Sequence, residues 1–238
     1  MTLNIFDTRQ EALDMLARYF VQLANDAIEE RNRFTVALAG GHTPEALYGL
    51  LAGVYRQKVS DWQKVYFFFG DERYVPHTAP ESNYRMAQVS LLEPLSIPGN
   101  HAFPVNTALA PEAAARAYQQ QMDDFFLSHE IRFDLILLGL GDNAHTASLF
   151  PYTEVLKDTQ AGVKAVWTGD ASGWRITLNA PLINQARNIA FLVFGAEKAA
   201  AMQHTFNPVP DSDQYPAQLI RKERIAWFTD KDAAALIP

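Results

Sequence analysis

Cysteine is absent from the 238-residue chain, which excludes disulfides, thiolate metal sites and cysteine nucleophiles together. No apolar run approaches the roughly 20 residues a membrane-crossing helix needs, and the N-terminus lacks the basic, then apolar, then small-residue series of a secretory signal. The expectation is a soluble, unprocessed protein of a reducing compartment, the cytoplasm. Basic tracts are missing as well. The 20 Lys and Arg are scattered among 27 Asp and Glu, for a net charge of -7, which argues against a phosphate-backbone footprint and therefore against nucleic acid as a partner. A small anion stays open, because a few cations and helix N-termini can make a locally positive pocket in an acidic protein. The histidines His42, His77, His101, His129, His145 and His204 show no pairing at metal-ligand spacing, so no metal is expected. A G-x-S-x-G nucleophile elbow is lacking too.

What is present is a series of short, continuous apolar segments separated by helical patterns. Residues 8–31 carry Leu13, Leu16, Ala17, Phe20, Val21, Ala24, Ala27 and Ile28 at spacings of three and four, an opening helix. Strands are expected at 34–39, 65–70 and 134–138, and further ones at 161–168, 174–178, 189–194 and 224–228. Helices are expected at 44–51, with Thr43 as N-cap and Pro44 in the first position, and at 84–92, 111–127 and 195–203. Strands that do not alternate, interleaved with helices, indicate a mainly parallel sheet covered on both faces. The fold class is α/β, one three-layer Rossmann-like domain over residues 1–238, and ligands of such sheets bind beyond the carboxyl ends of the strands.

Three segments end there with unusual chemistry. In "AGGHTP", Gly40 and Gly41 permit close backbone approach, and His42 and Thr43 open a helix whose N–H groups suit a phosphate or carboxylate; a tight strand-to-helix turn explains the same residues. In "FGDERYVP", Asp71, Glu72 and Arg73 follow three phenylalanines, and charges there either face a cleft or bond one another on a solvated loop. Downstream, Ser82 and Asn83 either bond ligand oxygens or cap the next helix. In "GLGDNAHTASLFP", His145 follows Gly141 by about one helical turn. There it either projects a neutral imidazole into the cleft as a general base or caps a helix.

Taken together, the three segments resemble the 6-phosphogluconolactonase family, which shares its fold with glucosamine-6-phosphate deaminases. "LAGGHTP" is similar to the family's glycine-rich sugar-phosphate loop, "FFFGDERYVP" with "SNYRMA" to its acidic-arginine loop, and "GLGDNAHTASLFP" to its histidine motif. "WRITL", "FGAEKA" and "YPAQLI" follow in the family's order. The resemblance implies a sugar phosphate isomerase/lactonase-like fold and hydrolysis of a phosphorylated sugar lactone, 6-phospho-D-glucono-1,5-lactone, to 6-phosphogluconate in the oxidative pentose phosphate route, without metal or cofactor. It makes His145 the base, with Arg73 and Asp142 beside it. Gly40, Gly41, His42, Thr43, Asp71, Glu72, Ser82, Asn83, Asn143, Arg175 and Lys198 would hold substrate, the three cations around phosphate and oxyanion.

The chain departs from that pattern where the family reads Asp-Gly-His: here Asn143 and Ala144 precede His145. A carboxylate that could orient the imidazole is lost, with Asp142 or Glu72 as replacements, and Ala144 is costly if the position uses positive φ. Two other functions stay open, a sugar-phosphate deaminase or isomerase and a sugar-phosphate binding protein that has lost its chemistry.

Overall fold

A strand that is apolar at every position must be covered on both sides, and here each is. The computed structural model describes residues 1–127, 130–169 and 173–237, so His129 lies outside the described residues. In chain order the elements are β1 (Thr2–Phe6), α1 (Arg9–Arg31), β2 (Phe34–Leu38), α2 (His42–Ala52), β3 (Val65–Phe69), β4 (Asp71–Arg73), α3 (Asn83–Ala87), α4 (Pro111–Phe125), β5 (Leu135–Gly139), β6 (Val163–Trp167), β7 (Trp174–Leu178), α5 (Ala180–Ile183), β8 (Ile189–Val193), α6 (Ala199–Phe206) and β9 (Ile225–Asp230). Six of the strands form a sheet in the order β1-β9-β8-β5-β2-β3, parallel at every pairing. Alternate residues go to opposite layers. Val36, Leu135, Leu137, Ala190, Leu192 and Phe228 pack with α1 and α2, while Ala37, Ile136, Leu138, Phe191 and Trp227 pack with α4 and α6.

The α/β class and its mainly parallel sheet are as the sequence indicates. α1 starts where the periodicity does, with Thr8 and Glu11 forming a reciprocal capping box. Several local expectations are corrected. The chain opens on an edge strand, β1, whose half-exposed "TLNIF" carries no continuous apolar signal. The N-cap of α2 is Gly41, at φ 100, so Thr43 caps nothing and Pro44 lies in the third helical position. The segment 84–92 is α3 followed by a π turn, Gln88–Leu92, and the helix foreseen from Gly195 begins as a 3-10 turn, Ala196–Lys198. No helix follows β5, because the chain from Gly141 to Pro151 is a succession of turns. Strands β6 and β7 leave the main sheet and join β4 in a second, antiparallel sheet ordered β4-β7-β6.

The order of the main sheet reverses between β2 and β5, since the chain runs from β2 to β3 on one side and later enters β5 on the other. A reversal of this kind leaves a crevice at the carboxyl ends of the two strands, where no crossover helix can cover both.

Candidate active site

That crevice is a cavity of about 390 Å³ lined by Gly40 beyond β2, Asp71 and Arg73 of β4, Gly141 and His145 beyond β5, and Arg175 of β7. Two buried tyrosines finish the strands that end there. The Tyr48 hydroxyl accepts from Ala39 N and donates to Ala39 O, and the Tyr118 hydroxyl makes the same pair with Phe69. Each closes the last backbone groups before a glycine that opens onto the cavity, groups that would otherwise be buried without partners.

Strand β4 sorts its three charges by the two-residue period of an extended chain. Asp71 and Arg73 face the cavity, whereas Glu72 points inward, fully buried, and accepts from Arg73 N, Ser82 Oγ, Asn83 N and Tyr84 N. Burial pushes its carboxyl up and the three backbone N–H groups pull it back. Glu72 therefore anchors the start of α3, where Ser82 is also the N-cap, and does not reach His145. Asn83 donates to the Asp71 carbonyl and carboxylate, and its amide leaves no room at Gly40: a Cβ there would lie 1.9 Å from Asn83 Oδ1.

The β4–β7 register sets Arg73 directly opposite Arg175 and Asp71 opposite Thr177. Like charges opposite one another across a ladder repel, Asp71 offsets part of this at Arg175, and both arginines line the cavity. Ser148 ties this sheet to the histidine loop, its hydroxyl donating to Asp71 Oδ2 at 2.6 Å and its N–H to Thr177 Oγ1.

His145 is half-buried. Its ring stacks on Phe150 at 4.0 Å and 20°, and its Nδ1 lies 2.6 Å from Asn143 Oδ1. Burial is the main cause that brings its pKa down to about 4, with Asp71 opposing and Lys198 and Arg175 assisting. The imidazole is thus neutral throughout the physiological range. Asp142 is mostly exposed and pairs with Lys198 at 2.5 Å, so neither lines the cavity. His42 is exposed and approaches Glu45, and Gly41 and Thr43 start α2 without lining the cavity themselves.

The structure therefore brings together Gly40, Asp71, Arg73, Asn83, His145 and Arg175. It leaves His42, Thr43, Glu72, Ser82, Asp142 and Lys198 outside the cavity walls, with Asn143 behind the histidine. The sequence reasoning missed Tyr48, Tyr118, Ser148 and Phe150. A tyrosine seventh in a helix that follows "AGG" is the sort of signal that would have found Tyr48; Ser148 and Tyr118 depend on contacts across 77 and 49 residues.

Comparison with known proteins gives a consistent picture. Residues 7–227 match the family model described as glucosamine-6-phosphate isomerases/6-phosphogluconolactonase. A 6-phosphogluconolactonase of Synechocystis sp. is 43% identical over 213 residues, covering 87% of this chain and 86% of that protein. One from Nostoc sp. is 40% identical over 215 residues, covering 88% and 87%. The solved 6-phosphogluconolactonase from Trypanosoma cruzi superimposes with a TM-score of 0.87 at 26% identity, covering 98% of this chain and 96% of that one.

Proposed function

The chain belongs to the glucosamine-6-phosphate isomerase/6-phosphogluconolactonase family, and from that premise we propose that it hydrolyses 6-phospho-D-glucono-1,5-lactone to 6-phosphogluconate with His145 as general base. The observation that carries the reading is the enforced neighbourhood of Arg73 and Arg175 in the same cavity as a neutral imidazole. Two guanidiniums on the wall of one cavity suit an anion, since they match phosphate and carboxylate oxygens with two parallel hydrogen bonds.

In the proposed reaction His145 takes a proton from water as the oxygen adds to the lactone carbonyl. The resulting oxyanion and the phosphate draw on the two guanidiniums and on the backbone at Gly40, donors already fixed before the charge develops. Collapse of the tetrahedral intermediate breaks the bond between the carbonyl carbon and the ring oxygen, and the imidazolium returns its proton to that leaving oxygen. The ring opens to a carboxylic acid, which then ionises. No group outside the chain, the water and the lactone is consumed.

His145→Ala is expected to lower enzymatic hydrolysis by about 10²- to 10⁴-fold, after subtraction of spontaneous opening, with 6-phosphogluconate affinity nearly unchanged. Activity in that variant equal to the parent would remove His145 from the chemistry. In the parent, kcat/KM should fall only as pH drops through about 4, where the ring takes up a proton, and stay level from there toward neutrality. The missing carboxylate at position 143 favours a second reading, a sugar-phosphate binder without turnover. Tight product binding with no hydrolysis above the spontaneous rate would establish that alternative.

A further inference from the structure

His145 is held by its surroundings more tightly than its half-exposed position suggests. The same Asn143 Oδ1 that lies 2.6 Å from its Nδ1 also lies 3.3 Å from its backbone N. A backbone N–H can only donate, so the atom it meets is the amide oxygen and not the NH₂ group. An oxygen facing Nδ1 then requires that nitrogen to carry the hydrogen, and Nε2 keeps its lone pair. The ring sits between two close neighbours. Phe150 covers one face, and Gly141 lies so close that a Cβ there would be 2.1 Å from Cε1 and Nδ1. The turn itself is closed by Gly141 N donating to His145 O and Ala144 N donating to Gly141 O, with Ala144 at φ 57.

We propose that Asn143 is a positioning residue, whose neutral amide holds His145 in the Nδ1–H tautomer and so presents Nε2 as the base, supplying the orientation a carboxylate would give without its charge. The inference rests on the reading of His145 as the base. The charged groups around the ring are Asp71 and Arg73 of β4, Arg175 of β7, Lys198 before α6 and, on the ring's own loop, Asp142, which Lys198 already engages. With an amide at 143, no carboxylate among the described residues bonds the imidazole directly, and the proton taken from water stays on Nε2 until the leaving oxygen receives it. The amide carries no proton away.

The test is ¹⁵N–¹H correlation spectroscopy of the histidine ring nitrogens in the substrate-free protein, with His145→Ala to assign the signal, followed by pH profiles of kcat/KM. The parent should show a protonated Nδ1 and an unprotonated Nε2. Asn143→Ala should shift the ring toward the Nε2–H tautomer and lower kcat by about 10- to 100-fold with little change in KM. Asn143→Asp should keep the tautomer but raise the ring's titration, and the acid limb of kcat/KM, by about one pH unit or more. An asparagine that merely closes the turn predicts otherwise, namely an Asn143→Ala ring that keeps the parent's tautomer and a kcat that does not fall. A parent ring in the Nε2–H form, or an Asn143→Ala ring with unchanged tautomer, would overturn the proposal. Because the tautomer is read without turnover, a His145→Ala enzyme of full activity would defeat the base assignment while leaving the tautomer result to stand or fall alone. Should Asn143→Ala not fold, the tautomer of the parent ring still decides the question.

Discussion

The two ends of the main sheet both carry charge, and they handle it differently. At the amino end Asp134 is buried, 5% exposed, just before β5. One of its oxygens meets Arg31 Nη2 at 3.1 Å and Arg187 Nε at 3.3 Å, and the other accepts from Thr35 N and Thr35 Oγ1. Arg31 also pairs with Glu30, so two cations meet two carboxylates, and the cluster joins α1, β2, β5 and the start of β8 with no surplus to offer a ligand. At the carboxyl end the register sets Arg73 opposite Arg175 with Asp71 close by, and burial lowers the histidine's pKa to about 4. The teaching is that charge matched within a closed cluster holds a fold together, whereas charged and titratable groups gathered on the wall of one cavity mark a candidate site.

The sharpest test of that contrast is to remove one partner at each end. Asp134→Ala leaves Arg187 and a buried backbone N–H without this acceptor and Arg31 with Glu30 alone, and should cost about 3 kcal/mol. For a chain of this size that lowers Tm by roughly 6–12 °C, while kcat/KM in the surviving fold is unaltered. Loss of activity in step with stability would break the division between the two ends. Next in size is Gly141→Ala. The backbone there accepts an L-residue, since its φ lies outside the left-handed region, but the new methyl collides with the His145 ring. Displacing the proposed base by about 1 Å is worth on the order of 10²-fold in kcat, with KM and Tm changing little. An unchanged kcat would mean that the ring position is not what limits hydrolysis.

The same division explains what could be read in the sequence. β2, β3, β5 and β8 announce themselves because sandwiching between two helical layers makes every residue apolar, and α1 because one face of 23 residues packs on the sheet. β1 escaped because an edge strand is covered by a neighbour on one side only. β4 escaped because three charged residues have no apolar signature; its pairing with Trp174–Leu178 depends on a contact across about a hundred residues. Of the site, His145, Arg73, Asp71 and Gly40 were legible from residue type and position after a strand. Glu72 and Ser82 were not separable from them, since which of three adjacent charges points inward is set by the antiparallel register and not by composition. Lys198 and Asp142 show the opposite limit: both carry the right charge, and they spend it on each other.

The smallest predicted effect concerns Ala144, where the histidine turn uses a left-handed backbone at φ 57 in a residue with a fully buried methyl. Ala144→Gly removes a conformational penalty of roughly 1–2 kcal/mol. Against this it gives up a buried methyl worth about 0.8 kcal/mol and frees the unfolded chain by roughly 0.4–1 kcal/mol. The terms nearly cancel, so Tm should stay within about 3 °C of the parent. The hydrogen bond from Ala217 N to the carbonyl of residue 144 needs no side chain, and the turn should therefore keep His145 in place with kcat unchanged. A gain well above 2 kcal/mol would show that the alanine strains the histidine turn beyond what its backbone angle accounts for. In that case Ala144→Gly in an Asn143→Asp background should raise turnover by more than Asn143→Asp alone, and the quiet backbone position would have to be counted with the catalytic end of the molecule.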